Sequence, residues 1–174
     1  MIKLRLPVKD VYINQPFWVN YVNFYTNLWY KWHNWIDFKA FNWCPVYSAH
    51  SGVVLFAWAD WDWWICVIVF NKDLLFKTVY YHLKKVNVVV WQRVNAWTKV
   101  WFADNTWKYT TWDHLHFWLK MTDSHGNTIN ANNWFWGCVD PEKFFVERFD
   151  WTPIKNTDWN KSNAYHEELQ PCQS

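Results

Sequence analysis

The sequence predicts an all-β domain organised around a central antiparallel sheet. Three features carry that reading: apolar segments four to eight residues long, their bias toward β-branched and aromatic side chains, and the lack of any sustained apolar stripe at helical spacing.

The segments follow in order. Val53 to Trp58 is a compact apolar run, and Ile65 to Phe70 (ICVIVF) is rich in β-branched residues. Thr78 to Leu83 (TVYYHL), Val86 to Val90 (VNVVV), Lys99 to Ala103 (KVWFA) and His114 to Met121 (HLHFWLKM) continue the series. They place one domain over about residues 10–146. After Asp150 the text turns polar and aperiodic, which predicts a weakly ordered C-terminal tail over residues 150–174.

A chain of 174 residues can bury a core without disulfide support. Its net charge of +2 and the lack of long like-charge runs argue against a polyanion, so no nucleic-acid partner is expected. Lys3 and Arg5 are followed by Pro7, Lys9 and Asp10 rather than an apolar stretch. Neither a signal peptide nor a membrane span is therefore expected, and the protein is expected to be a monomer. Cys44, Cys66, Cys138 and Cys172 show no CxxC spacing and are expected as buried free thiols.

Three histidine features carry chemistry. In His33-Asn34-Trp35-Ile36-Asp37 an imidazole and a carboxylate lie four residues apart, and both groups suit zinc if the backbone turns between them. By itself such a string is commonplace. In His114-Leu115-His116-Phe117 the alternation of a strand puts both histidines on one face and Leu115 and Phe117 on the other. His82, in Tyr80-Tyr81-His82-Leu83, reads alone as a hydrogen-bonded core histidine near a strand end.

Taken together, these pieces resemble the lysostaphin-like (LytM-type) zinc metalloendopeptidases, which hydrolyse peptide bonds in bacterial peptidoglycan. KWHNWIDF is similar to the family's metal motif, with Trp35 where the family has Gly. Trp43-Cys44-Pro45-Val46-Tyr47 followed by Ala49 and Gly52-Val53-Val54 resembles G-T-P-V-Y-A-x-x-x-G-x-V. The stretch from YYHL through VWQRV to HLHF looks like its second half, so the resemblance covers about residues 15–120. It implies the family's fold, a central antiparallel sheet with a groove holding one Zn²⁺. It assigns His33, Asp37 and His116 as zinc ligands and His82 and His114 as catalytic histidines, without saying which does what. Three protein ligands leave a position open for water, as in a catalytic zinc site. The implied partner is a peptidoglycan peptide, and the implied place of action is the bacterial cell wall, reached from a phage particle or by export. His50, His125 and His166 match no motif position and are read as surface or structural residues. An inactive family member that binds the cell wall or regulates is the alternative, although degenerate members usually lose ligands. An aromatic-rich carbohydrate-binding sandwich explains the Trp count but not the histidines.

The departures from the family pattern are systematic. The chain has 19 Trp and 3 Gly, whereas average usage gives roughly 7% Gly. Trp32, Trp35, Trp43, Trp58, Trp91, Trp97, Trp101, Trp107 and Trp112 stand where the family favours Gly, and Trp61, Trp63 and Trp64 fill a loop that is commonly Gly-rich. UGA encodes Gly in a few bacterial lineages and Trp in others, so a Gly-UGA gene read with a Trp-UGA table yields such text. UGA is expected at Trp32, Trp35, Trp43, Trp91, Trp97, Trp101, Trp107 and Trp112.

Overall fold

The computed structural model describes residues 1–9, 12–19, 32–40, 43–59, 65–103 and 114–147. The expected tail, and Trp61, Trp63, Trp64, Trp107, Trp112, His166 and Cys172, lie outside the described residues. The described residues form strands β1 (Ile13–Gln15), β2 (Ile36–Lys39), β3 (Pro45–Tyr47), β4 (Gly52–Ala59), β5 (Ile65–Asn71), β6 (Phe76–Tyr81), β7 (Leu83–Val86), β8 (Arg93–Val94), β9 (Lys99–Ala103), β10 (His114–Met121) and β11 (Cys138–Val139), with one 3-10 turn at Pro141–Phe144.

The strands make an all-β fold. An eight-stranded antiparallel sheet runs β1-β2-β10-β6-β5-β4-β8, with β11 also paired to β10. A three-stranded antiparallel sheet, β3-β9-β7, accompanies it. Alternation along β10 separates two environments. Leu115, Phe117 and Leu119 enter the main core with Ile36 and Phe38 of β2, Val67 and Val69 of β5, and Val46, Val100 and Ala103 of the small sheet. On the opposite face Trp118 joins Trp35, Val79 and Cys138 in a second cluster, and His114 and His116 share that face by their spacing. Leu4, Leu6 and Val8 also belong to the main core, and Leu4 bridges to Phe145.

Four expected strands recur closely as β4, β5, β9 and β10. The segment expected as one strand from Thr78 to Leu83 divides at His82, whose φ of 61° turns the chain out of the large sheet and into the small one. The valine run of residues 86–90 is not a strand. β7 ends at Val86, Val89 and Val90 are exposed, and the chain turns at Trp91. Cys66 and Cys138 are buried free thiols as expected, whereas Cys44 is disulfide-bonded. Among the described residues no helix is long and apolar enough to cross a membrane.

Candidate metal centre

Strand register assembles the site. β10 lies between β2 and β6, so His116 stands opposite Asp37 on one side and Tyr81 on the other. His114 is one step along the same face. His82 follows directly after β6, and its left-handed backbone brings its ring to 4.0 Å from that of His116 and 4.7 Å from that of His114, centroid to centroid. His33 precedes β2 and is tied to residues 16–18 by two hydrogen bonds. Its Nδ1 lies 2.7 Å from the Pro16 carbonyl, and its own carbonyl accepts from the Trp18 N–H at 2.7 Å. The five side chains picked out in the sequence therefore come together, all of them buried.

Asp37 is the hub. Its Oδ2 lies 3.0 Å from His33 Nε2 and its Oδ1 lies 3.0 Å from His116 Nε2. His116 Nε2 is also 2.7 Å from His114 Nε2, and His116 Nδ1 is 3.1 Å from His82 Nε2. Burial, reinforced by His82, His114 and His33, holds His116 well below the usual imidazole range, and burial with His114 does the same to His82. Both rings are thus neutral near neutral pH, each with one N–H and one lone pair.

This arrangement passes a test for a cation. His33 Nδ1–H donates to the Pro16 carbonyl, so a neutral His33 turns the lone pair of Nε2 toward a carboxylate oxygen. His116 Nε2 approaches Asp37 Oδ1 closely, yet that oxygen is buried without a hydrogen-bond donor. Lone pairs facing a carboxylate in a buried site repel unless a proton or a metal ion lies among them. Two imidazoles and one carboxylate form a donor set suited to zinc. The carbonyl that holds the second nitrogen of His33 is the usual orienting partner of a ligating histidine. A second set overlaps the first, since ligand atoms of His82, His114 and His116 all lie within 4.8 Å of one another. Pro16 could not be anticipated as a partner, because a backbone carbonyl has no residue signature.

Trp35 covers the site. Its ring centroid is 4.7 Å from that of His33, 4.8 Å from that of His116 and 5.7 Å from that of Trp118. His50 and His125 lie elsewhere. His50 is buried beside Thr78 and Ser51, and the His125 backbone N–H donates to Asp123 in an exposed turn.

The family model of Peptidase family M23 matches residues 31–131, which brackets all five site residues. No curated protein sequence matches significantly. Among solved structures, LytU is similar at 25% identity with a TM-score of 0.62, covering 78% of this chain and 85% of that one. A zinc-containing peptidase from Vibrio cholerae is similar at 26% identity with a TM-score of 0.55, covering 68% of this chain and 36% of that one. The catalytic domain of the antimicrobial peptidase lysostaphin from Staphylococcus simulans, at 21% identity, shares the fold with a TM-score of 0.59 over 78% of this chain and 92% of its own.

Proposed function

Because the chain belongs to peptidase family M23, we propose that it is a zinc-dependent endopeptidase that hydrolyses peptide bonds in the stems or cross-bridges of bacterial peptidoglycan. One observation carries the reading: the His33, Asp37 and His116 donor atoms converge through the Asp37 carboxylate. The Vibrio cholerae structure, similar over two-thirds of this chain, is that of a zinc-containing peptidase, which supports the choice of metal. The peptidoglycan substrate rests on the family alone. Monomeric action at the cell wall, after delivery by a phage particle or export, and a peptidase domain over residues 10–146 belong to the same proposal.

His33, Asp37 and His116 would hold the ion. When bound, zinc supplies Lewis acidity that acidifies water toward a pKa of ~7 and polarises an amide carbonyl. The other two histidines do the proton work and the orienting. His114, 7% exposed, is the more accessible, and it carries a proton at Nε2 from water to the departing amine. His82, 1% exposed, accepts from His116 Nδ1–H at Nε2 and offers its Nδ1–H to the developing oxyanion.

The test is metal content and hydrolysis of purified sacculi measured on the same variants. His33→Ala, Asp37→Ala and His116→Ala should lose stoichiometric zinc. His82→Ala and His114→Ala should keep it and lose roughly 10²–10⁴-fold in turnover. Zinc retained by His33→Ala but lost by His82→Ala would move the ion to the three-histidine set. Zinc bound with no hydrolysis by the unmodified protein would favour a binding or regulatory member of the family.

A further inference from the structure

Nine non-glycine residues among the described ones have a positive φ, and six are tryptophans: Trp18 at 71°, Trp43 at 69°, Trp91 at 71°, Trp97 at 68°, Trp134 at 67° and Trp136 at 54°. Only eleven tryptophans are described, so more than half occupy a region that a few per cent of non-glycine residues enter, and bulky side chains least of all. Chance does not distribute one residue type in this way.

The surrounding chain fixes these conformations. The backbone N–H of Trp18 donates to His33 O at 2.7 Å, that of Trp43 to Ala103 O at 2.9 Å, that of Trp91 to Val54 O at 2.8 Å and that of Trp97 to Ser48 O at 2.9 Å. A flip to negative φ would break those bonds. Nor does burial offset the strain, because the six side chains are between 42% (Trp97) and 73% (Trp91) exposed. Trp101 and Trp118, which do pack inside, have ordinary backbones. Gly126 at 87° and Gly137 at 75° occupy the same left-handed region without cost, the second next to Trp136. Leu75, His82 and Asn130 complete the set of nine.

We infer that Trp18, Trp43, Trp91, Trp97, Trp134 and Trp136 stand at glycine sites, and that the gene specifies glycine there through UGA codons written as tryptophan in this sequence. Motif comparison pointed to Trp43, Trp91 and Trp97. Backbone geometry adds Trp18, Trp134 and Trp136, on which no motif bears. Trp18 stacks on Trp32 at 5.9 Å and on Phe135 at 4.8 Å, so the exposed aromatic surface there is a product of the decoding rather than a sugar-binding face.

Two measurements decide the matter. Genomic DNA should read TGA at all six codons, and TGG there would overturn the inference. The full chain with all six tryptophans changed to glycine should then be compared with the chain in which all six become alanine. Both lose the exposed indoles, but only glycine removes the left-handed penalty. The glycine chain should unfold at a temperature higher by on the order of 10 °C. Equal midpoints would show that the backbone imposes no glycine requirement and would sink the inference from geometry, even if the chain as written fails to fold.

Discussion

His82 adopts φ 61° without being glycine or asparagine, and it does so where the chain leaves one sheet for the other. A left-handed L-residue costs about 1–2 kcal/mol, and such strain persists where the surroundings dictate it. Here the distortion aims an imidazole at His116. The two roles can be separated. His82→Gly should unfold later than His82→Ala, by about 1 kcal/mol in urea titrations, while both lack turnover. Equal stability of the two would mean that the backbone at residue 82 is unstrained. Trp35 presents the opposite case. Its indole is buried and lies against both His33 and His116. Trp35→Gly should raise the rate of sacculus hydrolysis, and an unchanged rate would show that the indole does not obstruct the substrate.

At the scale of elements, a buried polar strut ties the segment between β3 and β4 to the middle of β6. His50 Nε2 lies 2.9 Å from Thr78 Oγ1, which is 3.0 Å from the Tyr80 hydroxyl, and that hydroxyl accepts from the Ala49 N–H at 2.8 Å. Burial pushes the His50 pKa down to about 4, against a smaller opposing effect of the Ser51 carbonyl. The unfolded chain, with its histidine near ~6.5, binds a proton that the folded chain refuses between those values. Stability from this group is therefore present above pH ~6.5 and lost as pH falls toward 4, by up to about 3 kcal/mol. Urea unfolding of metal-free protein at pH 7 and pH 4.5 should show a smaller acid loss in His50→Gln than in the parent. An identical loss would rule out His50 as a source.

The same scale shows what could be read beforehand. β4, β5, β9 and β10 are continuous apolar runs, and the face shared by His114 and His116 follows from alternation alone. β2 was not legible. IDFK mixes two charges with two apolar residues, and it is a strand because β1 and β10 pair with it on either side. The break at His82 and the unpaired valines after β7 were also hidden, since both depend on where the second sheet begins. The five candidate residues, which the fold brings together, stood out because their side-chain chemistry is explicit in the text. The carbonyl that orients His33 did not, because hydrogen bonds from backbone are fixed only by tertiary position.

The whole molecule has the proposed metal ligands on separate parts of the chain, with Asp37 and His116 joined only by the pairing of β2 with β10. A ligand that binds the folded state alone stabilises it by mass action, by about 2.7 kcal/mol at a hundredfold excess over Kd. Chelation should therefore lower the unfolding midpoint, and added zinc should restore it. A midpoint indifferent to chelator would mean that no resident ion contributes to stability. The register carries a second consequence. Sliding β10 by one residue along β2 would set Leu115 or Phe117 across from Asp37 and turn His116 toward the main core. Only one alignment of these strands sets His116 opposite Asp37, so an ion held by both, as proposed, would close only on chains whose strands have come to rest in that frame.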